Sequence, residues 1–214
     1  MPFYFLKESI FCKLKKDFMI KFSDCAQKTD SQLVALTLKN QEYYYCLMKR
    51  YESPLMNYIY KLSGMNRMDI QDILQEVFIL AYQNLNDYNE NFKFSSWIYR
   101  IAHNYTISMI RKKPKNSQNI SWDEHDLDQL IQSDFNLEEN FVQKIDYENL
   151  LWIIDLLPLK YKEVLLLKFL EGKDYQEISD IIRKPIGTVG TLINRAKKIL
   201  LKEIEKHKAG IKNG

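Results

Sequence analysis

The most constraining feature of this 214-residue chain is a pair of closely spaced helical patterns between residues 174 and 200. The first, DYQEISDII, is short and amphipathic, and only Arg183 and Lys184 separate it from Pro185, which stands at the first turn of the second. Apolar residues then recur at positions 186, 189, 193, 196 and 200, the spacing of one buried helix face. Two helices joined by so short a turn, the second of them basic, predict a helix-turn-helix.

The second helix of such a motif lies in the major groove of DNA. With the apolar positions buried, it exposes hydroxyl, amide and cationic groups that suit phosphates and base edges. The residues expected on this face are Gly187, Thr188, Gly190, Thr191, Asn194, Arg195, Lys197 and Lys198. A basic helix is often only a solvated face, but the preceding helix and the short turn favour DNA binding here.

The first half of the chain also predicts helices. Only 6 Gly and 5 Pro occur in 214 residues, fewer than the frequent turns of a β-sandwich or barrel require. Capping residues and breakers bound each helical pattern. The predicted bounds are Thr29-Asp30-Ser31-Gln32 to Tyr51, Ser53-Pro54 to Gly64, Asp69 to Leu85, and Ser95-Ser96 to the residues before Pro114. We therefore expect an all-α fold.

The charge distribution divides the chain. Residues 114–146 carry 2 Lys/Arg and 8 Asp/Glu, whereas the segments on either side are net basic. Residues 114–140 begin with proline and lack sustained helical periodicity, which predicts an acidic linker. We expect two small helical domains, 29–113 and 141–214, preceded by an N-terminal extension, 1–28, whose role the sequence does not indicate.

Composition argues against several classes of protein. The cysteines Cys12, Cys25 and Cys46 are far apart, no CxxC occurs and the three histidines are isolated, so we expect no zinc site, no disulfide framework and no cofactor. Charges interrupt the apolar N-terminus, and no run of about 18 apolar residues is present, so we expect neither a signal peptide nor membrane insertion. The expected location is a reducing cytoplasm.

Two side-chain clusters are candidate sites. Asp69, Asp72, Gln75 and Glu76 share the polar side of one helix, and because nothing completes a two-metal centre, a partner-binding face is favoured over a nuclease. Aromatic and basic residues alternate around the helix after Ser95-Ser96, an arrangement that suits single-stranded nucleic acid, with core packing as the alternative for Trp97. This mixture comprises Phe92, Phe94, Trp97, Tyr99, Tyr105, Lys93, Arg100, Arg111, Lys112 and Lys113.

Three segments together resemble the extracytoplasmic-function sigma factors of the sigma-70 family. They are DIQDILQEVFILAYQNL (69–85), FSSWIYRIAHN (94–104) and LPLKYKEVLLLKFLEGKDYQEISDIIRKPIGTVGTLINRAKKIL (157–200). The three segments comprise 72 residues and stand in the family's order. It implies a region 2-like and a region 4-like domain, core RNA polymerase and promoter DNA as partners, an anti-sigma factor as a further partner, and no enzymatic activity, small-molecule substrate or catalytic residue.

The resemblance also assigns roles to residues. Asp69, Asp72, Gln75, Glu76 and Phe78 are the expected polymerase-binding residues. Contact with the −10 element is expected from Phe94, Trp97, Arg100, Asn104, Arg111 and Lys112, with Asn104 in a pocket for a flipped base beside the 88–94 loop. The −35 element is expected to meet Thr188, Thr191, Asn194, Arg195 and Lys198. Gly190 and Leu192 depart from the basic residues usual in the family.

The expected function is to direct core polymerase to promoters by recognising the −35 and −10 elements and melting the latter. A stand-alone helix-turn-helix regulator is the alternative, although it explains residues 157–200 and leaves 69–104 unexplained.

Overall fold

The computed structural model of the protein describes residues 25–112 and 153–212, and its regular elements over these ranges are all helical. The described residues divide into two compact units. One contains residues 25–60 and 65–105, and the other contains 61–64, 106–112 and 153–212. Helical structure is thus confirmed, whereas the predicted linker and nearly all of the N-terminal extension lie outside the described residues.

Four α-helices account for most of residues 30–112. They are α1 (Asp30–Lys39), α2 (Tyr44–Ser63), α3 (Arg67–Gln83) and α4 (Phe94–Lys112), with 3-10 turns at Gln41–Tyr43 and Leu85–Asp87. The predicted capping box at the start of α1 is present, since Thr29 Oγ1 accepts from the Gln32 backbone N–H at 3.3 Å while Gln32 Oε1 accepts from the Thr29 N–H at 2.9 Å.

The boundary between α1 and α2 differs from the prediction. The helix expected to run to Tyr51 ends at Lys39, where Asn40 instead caps the following 3-10 turn by accepting from the Glu42 N–H at 3.0 Å. Ser53-Pro54 does not begin a helix, because Pro54 lies inside α2. Interior proline costs about 3 kcal/mol. This proline is exposed, but the helix residues before and after it are packed in the core, and their burial keeps the helix continuous. These residues are Tyr51, Leu55, Tyr58 and Ile59.

Helices α3 and α4 begin earlier than predicted. Asn66, rather than Asp69, caps α3, because its Oδ1 accepts from the Asp69 N–H at 3.0 Å. Helix α4 already includes Phe94, ahead of the Ser95-Ser96 pair. In both cases a residue upstream of the predicted cap starts the helix.

Buried tyrosines hold the helices of the first unit together. The Tyr44 hydroxyl donates to the Phe78 carbonyl at 2.6 Å and so joins α2 to α3. The Tyr58 hydroxyl lies 3.0 Å from Nδ1 of buried His103 and joins α2 to α4. Burial raises the pKa of the Tyr44 phenol above its ordinary value, which already keeps the hydroxyl protonated at neutral pH, so the donor role also persists in alkaline solution.

The expectation of unpaired cysteines is wrong for two of the three. Cys25 and Cys46 are joined by a disulfide, with their Cα atoms 5.7 Å apart, and both residues are buried. Spacing along the sequence gave no sign of the pair, since 21 positions separate them. Cys12 lies outside the described residues.

The helix-turn-helix prediction is confirmed in the second unit. Residues 153–156 are helical and are followed by α5 (Leu159–Leu165), a π-helical stretch (Leu166–Leu170), α6 (Tyr175–Ile182) and α7 (Ile186–Lys212). Helix α7 packs against both α5 and α6. Gly172 turns the chain before α6 with a φ of 63°, a left-handed conformation that glycine adopts without strain. None of the helices in residues 25–112 and 153–212 combines the length and hydropathy needed to span a membrane.

Candidate nucleic-acid interface

The turn between α6 and α7 is fixed by side-chain and backbone contacts. Asp174 and Glu177 form a capping box at the start of α6, with Asp174 Oδ1 accepting from the Glu177 N–H at 2.8 Å. At the other end, Arg183 takes a left-handed conformation with φ 53°. The Ser179 hydroxyl donates to the Lys184 carbonyl at 2.6 Å. These contacts set the direction in which α7 leaves the turn.

A charged contact ties this turn to α5. Lys184 Nζ lies 3.3 Å from Oε1 of Glu163, whose side chain is mostly buried. Burial raises the pKa of the Glu163 carboxyl, and the attraction of Lys184 offsets only part of that effect. Burial is therefore the larger influence on this carboxyl, and its pKa lies above the usual value despite the nearby positive charge.

The exposed face of α7 agrees with the sequence pattern at most positions. Thr188, Thr191 and Asn194 are exposed, and Arg195 and Lys198 are partly exposed. Val189 and Ile193 lie in the core beneath them. The Thr191 hydroxyl donates to the Gly187 carbonyl at 2.9 Å, which orients its oxygen toward the helix start. All five residues predicted for the −35 element are thus accessible on one helix.

Two predictions about α7 are wrong. Ile186 was expected in the core but is 49% exposed, because it starts the helix one turn before the packed stripe. Lys197 was expected on the exposed face but is only 4% exposed, with Nζ 5.6 Å from the centroid of the Phe169 ring. The lysine stem covers apolar surface while its charge lies over an aromatic face, a favourable contact for a cation.

The structure leaves room for a Cβ atom at Gly190. A Cβ atom built there meets Tyr175 Cε2 at 3.9 Å, an ordinary van der Waals distance. Nothing within the described structure therefore requires glycine at this position. Arg195, five residues further along α7, has its Nε buried without a hydrogen-bond partner in the described structure, a group that an external acceptor would satisfy.

The polar residues predicted for one face of α3 are exposed or half-buried. Asp72 and Gln75 are exposed and Glu76 is half-buried. Asp69 contributes to the helix start, since its Oδ2 accepts from Asn66 Nδ2 at 2.8 Å. Phe78 is buried in the core. Of the five residues expected to bind the polymerase, Phe78 is enclosed and the four polar residues remain at least partly accessible, with Asp69 half-buried like Glu76.

Exposed Met68 was missed at the end of this face. It is 77% exposed at the start of α3, immediately before Asp69. Its sequence signal was weak, because a single methionine outside the apolar stripe resembles ordinary surface variation.

Two aromatic residues expected to meet the −10 element lie in the core instead. Phe94 and Trp97 are buried, with ring centroids 5.4 Å apart. Tyr88 completes the cluster at 5.4 Å from Phe94 and 5.6 Å from Trp97. Their rings hold the start of α4 and offer no face to an external base, which agrees with the alternative of core packing for Trp97.

The polar residues expected around α4 remain accessible. Asn104, Arg111 and Lys112 are exposed and Arg100 is half-buried. Phe92 is 46% exposed in the loop before α4, where the Tyr88 hydroxyl donates to its carbonyl at 2.6 Å. It was noted in the aromatic mixture but not among the candidate contacts. Its position outside the helical stripe was the available signal.

Carboxylates and metal-ligating side chains do not assemble a cation site in residues 25–112 and 153–212. No three His, Cys, Asp or Glu side chains there lie close enough to hold a metal ion.

Comparison with known proteins gives matches in both parts of the chain. Residues 47–115 match the family Sigma-70 region 2, and residues 147–200 match Sigma-70, region 4. The chain is 35% identical over 159 residues to the ECF RNA polymerase sigma factor SigW of Bacillus subtilis, covering 72% of this chain and 84% of that protein. It is 28% identical to the ECF RNA polymerase sigma-E factor of Escherichia coli K12, covering 84% and 96%.

Solved structures share the fold. The structure of CnrH in complex with the cytosolic domain of CnrY matches with a TM-score of 0.62 at 18% identity, covering 84% of this chain and 99% of that chain. The sigma factor RpoE in complex with the anti-sigma factor NepR from Bartonella quintana matches with a TM-score of 0.54 at 17% identity, covering 74% and 94%.

Proposed function

Because the chain belongs to the extracytoplasmic-function RNA polymerase sigma factors, we propose that its two units divide promoter recognition between them. A sigma factor directs core RNA polymerase to specific promoters, and this chain does so. The observation that carries the proposal is the exposed polar face of α7, which follows a well-formed helix-turn-helix in a segment that matches region 4.

The second unit supplies the −35 contact. Thr188, Thr191 and Asn194 reach base edges or phosphates from the first turns of α7, where a recognition helix meets the groove. Arg195 adds a guanidinium whose buried Nε lacks a partner, so a phosphate or base acceptor gives it the missing hydrogen bond. Lys198 follows on the same side as a second cation.

The −10 contact comes from α4 and the loop before it. Asn104 presents an amide, which both donates and accepts, and suits reading the edge of a base taken out of the stack. Arg100, Arg111 and Lys112 supply charge for the phosphates of the displaced strand. Phe94 and Trp97 act indirectly by fixing the start of the helix.

Core polymerase binds through α3. Asp72, Gln75 and Glu76 offer an acidic and amide surface, and Met68 extends it with exposed apolar area. The protein works in the cytoplasm, where its polymerase partner is, and it carries no catalytic activity of its own. An anti-sigma factor is a further partner, as it is for the RpoE structure of similar fold.

Run-off transcription tests this function. The full chain is combined with core polymerase and a promoter library, and transcripts are sequenced. A sigma factor gives start sites downstream of shared −35 and −10 elements only when both proteins are present. Specific binding of the chain to duplex DNA without core, together with no effect on initiation, would support the stand-alone regulator instead.

A further inference from the structure

We propose that Cys25 and Cys46 form a reversible thiol–disulfide site that exchanges with low-molecular-weight disulfides and fastens residues 25–30 onto α2. The bond joins the segment before α1 to the first turn of α2. Its Cα–Cα distance of 5.7 Å lies in the usual range for a disulfide. The site stands on the fold of the first unit and does not depend on the proposed function.

Contacts beside the bond hold the two cysteines in place by themselves. Arg50, one turn after Cys46, donates from Nη2 to the Cys25 carbonyl at 3.1 Å and to the Lys28 carbonyl at 2.8 Å. Its Nη1 lies 2.5 Å from Asp30 Oδ1. The Tyr51 hydroxyl donates to the other carboxylate oxygen of Asp30 at 2.6 Å. Because these four contacts involve no sulfur, reduction leaves the thiols facing each other and ready to re-form the bond.

The exchange is a balanced two-electron reaction. The thiolate of one cysteine attacks a small disulfide, RSSR, and forms a mixed disulfide with release of one RS⁻. The second cysteine attacks the mixed disulfide, forms the Cys25–Cys46 bond and releases a second RS⁻. The two protons from the cysteine thiols pass to the two RS⁻ leaving groups. The protein is oxidised and RSSR is reduced to two RSH, and the reverse sequence opens the bond.

Arg50 controls access to the sulfur atoms. Both cysteines are fully buried, so an attacking thiolate reaches them only after residues 25–30 lift from α2. Lifting breaks the hydrogen bonds of the Arg50 guanidinium. The rate of reduction is therefore expected to saturate with reductant concentration, because opening becomes the slow step.

Two side-chain contacts connect the disulfide-linked segment 25–30 to the start of α4. Tyr51 links Asp30 to the aromatic cluster, since its ring centroid is 5.5 Å from that of Phe94. Phe94 is the first residue of α4. Fastening residues 25–30 thus also supports the helix that carries Asn104, and this last step of the proposal rests on the proposed function.

Redox titration tests the bond. The full chain carrying Cys12→Ser is equilibrated in glutathione buffers of increasing oxidised fraction, quenched in acid, alkylated and weighed by mass spectrometry. We expect Cys25 and Cys46 to lose alkylation together in one two-electron transition. Glutathione adducts on the separate cysteines, free thiols in the fully oxidised buffer, or a bond that persists in the fully reduced buffer would each overturn the proposal.

Reduction kinetics test the role of Arg50. Arg50→Lys keeps the positive charge but loses the two guanidinium nitrogens that contact residues 25–30. We expect reduction by excess dithiothreitol to become about tenfold faster or more, as for the loss of buried hydrogen bonds. Lys49→Ala is the matched control, because Lys49 pairs with exposed Glu52 on the same helix turn, and its rate is expected within about twofold of the unmodified chain. Equal rates for Arg50→Lys and the control would refute the access role. If Arg50→Lys does not fold, a rate in the native sequence that rises linearly with dithiothreitol at all concentrations refutes it as well.

Promoter-directed initiation tests the consequence for α4. Oxidised and reduced chains are each assembled with core polymerase, and we expect reduction to lower run-off product about twofold or more, the lower end of couplings between contacting residues. The Cys25→Ser, Cys46→Ser double variant controls for redox effects on the polymerase and should not respond. Equal activity of the two forms would overturn the link to α4. Absence of activity in both forms would refute the proposed function and leave the redox titration as the test of the bond.

Discussion

Replacement of Gly190 by arginine is expected to tighten binding to the −35 element. Gly190 is half-buried on the face of α7 that we propose meets DNA. The family resemblance leads us to expect a basic residue there, whereas this chain offers no side chain. A Cβ at this position meets only Tyr175 Cε2, at 3.9 Å, so the fold accepts the first carbon of a side chain without displacement of its neighbours. The new guanidinium then adds a contact to a phosphate or a base.

Two contributions set the magnitude. Glycine inside a helix costs about 1 kcal/mol relative to alanine, so the substitution also stabilises α7. One added phosphate contact steepens the log–log salt dependence of binding by about 0.9. A fourfold rise in salt concentration should therefore remove about 3.5 times more affinity from Gly190→Arg than from the unmodified chain.

Fluorescence titration against a −35 duplex at several salt concentrations measures both effects. Gly190→Ala is the matched control, because it gains helix propensity without gaining charge, and its salt slope should not change. The reasoning fails if Gly190→Arg and Gly190→Ala both weaken binding. That result would mean that the backbone at Gly190 approaches DNA too closely for any side chain.

Three further predictions concern α3, α4 and α5. Asp72→Lys with Glu76→Lys should abolish assembly with core polymerase in a pull-down while circular dichroism remains unchanged, because the acidic surface is reversed and the core is untouched. Asn104→Ala should relax base preference at one −10 position, measured by sequencing selected promoters, since an unmatched amide typically costs about 1–3 kcal/mol. Glu163→Gln should match or exceed the stability of the unmodified chain at pH 7 in urea melts, because burial holds the carboxyl pKa above its usual value and the folded state disfavours the charge.

The sign of the Glu163 effect follows from its raised pKa. Between the unfolded and folded pKa values the folded state binds more protons, so stability from this group is present below the unfolded pKa and is lost as pH rises through the folded pKa. Glutamine does not titrate, so Glu163→Gln removes this loss of stability. The free energy of unfolding should then depend less on pH over this window. A variant markedly less stable at pH 7 would show that the contact with Lys184 outweighs desolvation.

The predictions for α3 and Asn104 can each be contradicted by one result. Unchanged affinity of the charge-reversed α3 for core polymerase would move the binding surface elsewhere. Equal losses at every −10 position would give Asn104 a structural role, with Arg111→Ala as a comparison expected to weaken all promoters alike through lost phosphate contact.

Local signals account for what the sequence predicted well. The helix-turn-helix is specified within about 30 residues by a capping box, a two-residue turn and one apolar stripe, and each is decided by neighbours along the chain. The split at Asn40 and the continuity across Pro54 were missed because packing decided them. Tyr51 and Leu55 are buried on both sides of the proline, and no propensity scale includes their partners.

Tertiary contacts explain why the candidate sites changed more than the fold. Lys197 is not on the exposed face of α7, because its ammonium group lies over the ring of Phe169, 28 positions earlier in the chain. Phe94 and Trp97 leave the set of direct base contacts because Tyr88 and Tyr51 enclose them. An aromatic residue among lysines and arginines has the same sequence signature whether it stacks on a base or on another ring. The difference depends on partners far along the chain, as does the Cys25–Cys46 pair, which Arg50 holds together from one turn away. Among the described residues the rings therefore build the platform, and the exposed amides and cations remain as the proposed contacts to nucleic acid.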